Sequence, residues 1–315
     1  MNILDEKNWR DKKIESVELS YSYKRLGMLN KYQRVNNCAG FLEFRLYEDG
    51  QRKLQKANFC KNRLCSMCNW RRSKKIFSQV SQIIAKIDED EGDIDYIFLT
   101  LTVKNCELSD LSDTISEILT GYKRFSNDRR IKKAYRGIFR ALEITYNNNK
   151  YKKAYNTWHP HLHCIIAVDK NYFDKSNVNY LSHKDLQEIW QRCVRADYLP
   201  QVDIRKIKNA REKAVAEVAK YTVKSNTYLM FDKEKQDNLV RILDDALFNR
   251  RLVSYSGIFK KYYKLCGLSD AVDGDLVHTD GEKLDERLVY IVLHYRWHIG
   301  FYNYYESTEF GDFLE

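Results

Sequence analysis

Proline is nearly absent from this sequence, with two residues in 315, and glycine is sparse at 12. Such a chain has no proline- or glycine-rich linker and no low-complexity arm. No run of 18 or more apolar residues occurs, so no membrane-spanning helix is expected. The first fifteen residues, MNILDEKNWRDKKIE, are polar and charged where a secretory leader would be apolar. The expectation is a cytoplasmic protein with no membrane partner. In that reducing setting the eight cysteines stay free to bind metal or to pack in a core. No internal repeat is visible.

Acidic residues are the last shortage: 44 against 54 basic ones, a net charge of +10. The bases cluster. Lys61, Arg63, Arg71, Arg72, Lys74 and Lys75 stand close together with Trp70 among them. KRFSNDRRIKKAYRGIFR holds eight more, and RKIKNAREK another five. Charge runs are commonly solvated faces, but three dense ones in a basic chain point to a nucleic-acid partner. A hydrophobic content of 43% and this length suffice for a buried core without disulfides.

Periodicity outlines the elements. CAGFLEFRLY and QRKLQKANFC flank EDGQ and read as a β-hairpin with a two-residue turn at Asp49-Gly50. Residues 73–88 carry one apolar helical stripe, Ile76, Phe77, Val80, Ile83, Ile84 and Ile87. Residues 95–104 alternate as a strand, with Thr100 and Thr102 opposite Leu99 and Leu101. A helix over 109–122, a strand over 137–146 and a helix capped by Ser182 follow, and 209–225 is alanine-rich and helix-prone. LDERLVYIVLHYRWHIGFY reads either as a buried helix or as a strand pair. Three segments are expected: a hairpin and cysteine module with its basic helix (1–89), a mixed α and β core (90–230), and a C-terminal helical or mixed extension (231–315).

Cys60, Cys65 and Cys68 stand in CKNRLCSMC, and the hairpin carries Cys38 to the same end. Four thiolates meeting Zn²⁺ tetrahedrally leave no open position, which is a structural site. The competing reading is four core cysteines. In HPHLHCIIAV, side chains alternate, so His161 and His163 share a strand face. With Glu143 from a neighbouring antiparallel strand they make an imidazole pair plus a carboxylate, which suits a catalytic Mg²⁺ or Mn²⁺. The bland alternative is a pair of satisfied histidines. His159, before Pro160, stands beside the pair as a neighbour. On a helix over 209–225, Tyr221, Lys213, Lys220 and Lys224 all fall within about 60° of Glu217. A tyrosine has a pKa near 10, so only about one in 10³ is phenolate at pH 7. A lysine and a metal-polarised phosphate offset that deficit and let the phenolate attack a phosphodiester. The bland reading is a solvated face with a stray tyrosine.

Together these residues resemble a known family. FLTLTV, HPHLHCIIAV with His161-Leu162-His163, EVAKYTVK with its single tyrosine, and CKNRLCSMCNWRRSKK occur in the order seen in rolling-circle replication initiators of small bacterial plasmids, within the HUH endonuclease superfamily. The resemblance implies an α+β fold, a central antiparallel sheet flanked by helices, with an N-terminal zinc-stapled hairpin. It implies that Tyr221 nicks one strand of the plasmid's double-strand origin, leaving a 5′-phosphotyrosine and a 3′-OH primer, and that the ends are rejoined at termination. Glu217 would then serve as base for a water, as in the single-tyrosine branch. Metal ligands would be Glu143, His161 and His163, zinc ligands Cys38, Cys60, Cys65 and Cys68, and DNA contacts Arg63, Arg71, Arg72, Lys220 and Lys224. Origin DNA and a host replication helicase are the implied partners, and a dimer is compatible. Ser66 stands where many relatives have proline. A relaxase or single-strand transposase using the same nick, or an inactive zinc-containing DNA-binding protein, are the alternatives. A tyrosine placed after the histidine pair favours the initiator.

Overall fold

The apolar alternation of FLTLT, GIFRALEIT and HPHLHCIIAV builds three adjacent strands, and the helical stripes between them supply the layers that cover the sheet. In the computed structural model, residues 3–4, 7–174, 176–207, 211–220, 222–229, 232–279 and 289–307 are described. In chain order the elements are α1 (Lys7–Arg25), α2 (Leu29–Asn36), β1 (Phe41–Tyr47), β2 (Arg52–Ala57), α3 (Ser66–Glu91), β3 (Ile94–Thr102), α4 (Leu111–Asn127), α5 (Arg129–Ala134), β4 (Gly137–Asn147), β5 (Thr157–Asp169), α6 (His183–Val194), β6 (Val202–Ile207), α7 (Arg211–Val218), α8 (Lys233–Leu247), β7 (Val253–Tyr255), α9 (Gly257–Leu265), β8 (Tyr290–His298) and β9 (Asn303–Glu306). This is the α+β class expected from the resemblance. Among the described residues no helix is long and apolar enough to cross a membrane.

The chain divides into two units, one made of residues 1–75, 228–241 and 273–315, the other of 76–227 and 242–272. Both are discontinuous in sequence, unlike the three consecutive segments anticipated. The C-terminal strands give the reason: β8 pairs antiparallel with β1 along its whole length and β9 pairs with β8, so 290–306 completes a sheet begun at residue 41. The described part of the ambiguous C-terminal run, residues 289–302, is therefore a strand, β8, and the turn that leads to β9.

In the first unit the sheet order is β2-β1-β8-β9. The turn between β1 and β2 is a three-residue loop rather than the expected two. The Tyr47 amide donates to the Gln51 carbonyl, and Gly50 takes φ +80°, which glycine adopts without strain. A bulge at Glu43/Phe44 then shifts the register by one. One sheet face is packed. Leu42, Phe44, Leu54 and Tyr295 are buried on it, and Trp9 of α1 meets Phe44 edge-on at 5.6 Å.

In the second unit the order is β6-β3-β5-β4-β7, all antiparallel, with the histidine strand at the centre. One face carries Tyr96, Phe98, Phe139 and Ile165. It is covered by the isoleucine stripe of α3, by Ala214, Val215 and Val218 of α7, and by Ile258, Phe259 and Tyr262 of α9. On the other side α4 and α6 pack together, Phe125 edge-on to Trp190 at 5.9 Å. α6 starts at Ser182 with a reciprocal capping box: the Asp185 amide donates to Ser182 Oγ, and the Ser182 amide to the Asp185 carboxylate. Its other end closes on Arg195 in the left-handed region, φ +60°.

α9 approaches β4 more closely than any side chain would allow. A Cβ on Gly257, where φ is +54°, would stand 2.2 Å from the Arg136 carbonyl oxygen and 2.7 Å from Gly137 Cα. Both are backbone atoms and cannot rotate away. Gly257→Ala is expected to cost roughly 2 to 4 kcal/mol of stability, read as a lowered urea midpoint. An unchanged midpoint would mean that α9 lifts off β4 freely.

Candidate metal and nucleic-acid site

Antiparallel pairing sets Glu143 directly opposite His161 and Thr100 directly opposite His163. Because β5 has neighbours on both sides, the two imidazoles are held between a carboxylate and a hydroxyl. His163 Nε2 lies 2.8 Å from Glu143 Oε2, and His161 Nε2 lies 3.4 Å from the same oxygen. Two donors about 2.1 Å from an octahedral ion stand about 3 Å apart, so these separations suit one divalent cation. All three residues are buried, and one ligand atom from each lies within 4.8 Å of the others.

The far side of each ring is fixed as well. His161 Nδ1 is 3.1 Å from the His159 carbonyl, which can only accept, so Nδ1 carries a proton and Nε2 is the ring atom turned toward Glu143. His163 Nδ1 lies 3.2 Å from Thr100 Oγ1. Burial opposes ionisation of Glu143, but hydrogen bonds from His161 and His163 outweigh it and hold the carboxyl below its usual range. His159 stacks on His161 with ring centres 5.3 Å apart. Burial, and then the neighbouring His161, lower its pKa.

Glu217 comes from α7, which covers the same sheet face. Its carboxylate accepts from Arg205 at 2.7 Å, and the Arg205 guanidinium lies 4.4 Å over the Phe98 ring, itself 5.4 Å from His163. A chain of direct contacts thus links Glu217 to a prospective ligand. The helix does not extend through 225 as its alanine content suggested. It ends at Val218, and the Thr222 carbonyl accepts instead from the Ile144 amide on β4 at 2.7 Å. That tertiary bond overrides local propensity, and the angular placement of Lys224 on a helix face does not hold. Lys220 and Lys224 are both exposed. Tyr221 lies outside the described residues.

The second candidate centre is in the first unit. Cys38 Sγ is 3.5 Å from Cys68 Sγ and 3.6 Å from Cys65 Sγ, and Cys60 Sγ is 3.7 Å from Cys68 Sγ. Thiolates about 2.3 Å from a tetrahedral ion stand about 3.8 Å apart, so the cage has the size such an ion requires. Backbone amides point at the sulfurs, Lys61 N to Cys68 at 3.2 Å and Cys60 N to Cys38 at 3.4 Å. Burial pushes the Cys38 thiol up. Burial acts the same way on Cys65, yet hydrogen bonds from the other thiols and from Ser16 bring it well down. Lys13 is buried nearby and donates to the Cys38 carbonyl at 2.8 Å.

The basic residues expected at a DNA surface divide. Arg71 and Arg72 are each 4% exposed. Arg71 Nε donates to the Leu276 carbonyl, and Arg72 Nη1 to the Asn62 carbonyl and Asn69 Oδ1. Both brace loops, which corrects the expectation that they face DNA. Arg63 is partly exposed, 3.5 Å from the Asp273 carboxylate.

A protein-family model described as a replication protein matches residues 51–305. The chain belongs to the replication protein family. Curated relatives named "Protein rep" agree. One from Bacillus amyloliquefaciens is 38% identical over 95% of this chain and 93% of its own length. One from Streptococcus pneumoniae serotype 2 (strain D39 / NCTC 7466) is 36% identical over 88% and 85%. One from a Bacillus species is 39% identical over 86% and 91%. No solved structure matches. Both cages of this replication protein lie mostly within the matched span, Cys38 alone standing before it.

Four neighbours escaped the sequence reading. Thr100 was legible from strand parity, since it alternates away from Leu99 and Leu101. Arg205 was hidden inside a charge run, and Ser16 and Lys13 in a polar segment that no motif marked.

The sulfur cage predicts that Cys65→Ala loses tightly bound metal, counted by elemental analysis, together with several kcal/mol of stability. Unchanged metal content would refute the cage.

Proposed function

We propose that this replication protein is a strand-specific endonuclease and strand transferase that starts rolling-circle replication at a plasmid origin. The observation that carries the reading is the convergence of Glu143, His161 and His163 on one carboxylate oxygen, in a chain of the replication protein family. Glu143, His161 and His163 would hold Mg²⁺ or Mn²⁺, which draws charge from the non-bridging oxygens of the scissile phosphate when bound. The Tyr221 oxygen attacks phosphorus, the bond from phosphorus to the 3′ oxygen breaks, and the products are a 5′-phosphotyrosine and a 3′-OH that primes synthesis. One phosphodiester replaces another, so the ends can later be rejoined without ATP. Glu217, held by Arg205, acts as base for the water that resolves the covalent link. The exposed Lys220 and Lys224 flank Tyr221 in sequence and contact the phosphate backbone. The four cysteines hold Zn²⁺ as a structural ion that ties hairpin to helix. A host helicase as partner and the cytoplasm as the place of action belong to the same reading.

Labelled single-stranded origin DNA with Mn²⁺ tests it. A covalent protein–DNA adduct is expected from the native chain and none from Tyr221→Phe. An adduct that persists in that variant sinks the tyrosine assignment. Glu217→Ala is expected to form the adduct at a near-native rate but to release it at least tenfold more slowly. Release at the native rate removes the proposed role of Glu217.

A further inference from the structure

The sheet β2-β1-β8-β9 has a second face, opposite the packed one, and its composition is unusual. On β8 every other residue faces this way, giving Tyr290, Val292, His294, Arg296 and His298. Their partners on β1 are Tyr47, Arg45, Glu43 and Phe41. The rings and cations interleave. Arg45 lies 4.2 Å over Tyr290, Arg296 lies 5.7 Å over Phe41, and Phe41 stacks on His294 at 5.8 Å with 25° between planes. At the hairpin tip Phe301, 65% exposed, packs with His298 and Tyr305.

The charge is one-sided. Arg45, Arg296, Lys53 and Lys56 stand on this face, and Glu43 is its one acid among the described strand residues. Glu43 is buried, held between Lys56 at 3.4 Å and His294 at 3.3 Å. Two polar atoms of the face, Tyr47 Oη and Arg45 Nη1, are buried and have no hydrogen-bond partner among the described residues. An unpaired buried donor is costly and calls for an acceptor. None of these residues belongs to the proposed nicking site, and the C-terminal aromatic run plays no part in it.

We propose that this face binds single-stranded DNA, with bases stacked on the rings and guanidinium planes and phosphates on the flanking cations. Stacking platforms interleaved with cations are how sequence-tolerant single-strand binding is built. Five alternating positions on β8 span roughly 27 Å, room for about four nucleotides. Duplex DNA hides its base faces, so a stacking surface discriminates against it.

The test uses the full chain without added divalent metal. A (dT)₁₅ strand carrying 5-iodouracil is photo-crosslinked and the adducts are mapped. Crosslinks on peptides spanning 41–56 and 290–305 are expected. Crosslinks confined to 94–227 overturn the proposal. By fluorescence anisotropy, Tyr290→Ala and Phe301→Ala should each weaken (dT)₁₅ binding about tenfold, with a much smaller effect on a 15-base-pair duplex. Arg296→Gln should reduce the slope of log affinity against log salt by about 0.7. Phe301 and Arg296 are exposed, so these two variants stay readable should others unfold. Equal losses on duplex would make the face a phosphate surface without stacking. Unchanged DNA binding with altered sedimentation would assign it to a second copy of the chain. Either result overturns the proposal. Because no cleavage is read, the outcome is separable from that for Tyr221.

Discussion

The register between β4 and β5 is the constraint on which the arrangement of Glu143, His161 and His163 rests. A strand has a side-chain period of two, so slipping the pairing by one residue would put Leu142 or Ile144 opposite His161 and turn Glu143 through the sheet. Burial on both faces prevents the slip. Leu142 faces Leu162 and Leu101 on one side, while Phe139 and Ile165 join the helix-covered cluster on the other. The apolar core therefore spends its packing specificity on aligning one carboxylate with two imidazoles. A buried carboxylate without partners would be heavily disfavoured, and the hydrogen bonds from His161 and His163 are what make its position tolerable.

The sulfur cage solves a related problem differently. Its donors come from a loop before β1, a loop after β2 and the first turn of α3, segments that short-range pairing alone does not align. Local geometry does much of the work: backbone amides aimed at sulfur lower the cost of gathering negative charge, and the buried Lys13 lies among the same groups. Burial without compensation would instead keep all four thiols protonated. The cage and the strand pair thus share one logic, in which the backbone supplies the second set of partners that the first set needs.

Much of this could be read from residues alone, and the successes have a common physical cause. Period-two alternation identified β3, β4 and β5, and with them the shared face of Glu143, His161 and His163. The short spacing among the cysteines, joined by one hairpin, led to the four-sulfur cage despite a wrong turn length, because the later bulge restored the register. The failures came where tertiary contacts outvote local preference. The helix carrying Glu217 stops at Val218, and by Thr222 the backbone is tied instead to β4. Arg71 and Arg72 look like a DNA patch in sequence, yet burial commits their guanidinium groups to loop carbonyls. The helices α1 and α8 carry no strong motif and went unread. The pairing of β8 with β1 is invisible to any local window, since nothing in either segment names the other.

That pairing also orders events in time. On a ribosome, β1 and β2 emerge early and can form their hairpin, but β8, which completes the other side of β1, emerges only after all the strands of the second unit. Until then β1 presents an open edge, and Ala39, beside the cysteines, lacks the buried Tyr304 hydroxyl that donates to its carbonyl. Strands β3 to β6, by contrast, can assemble as soon as residue 207 is exposed. The nascent chain therefore passes through a stage in which the histidine strand is already flanked while the N-terminal sheet waits for its final partner. A chain cut short near its C-terminus would lose the integrity of its beginning.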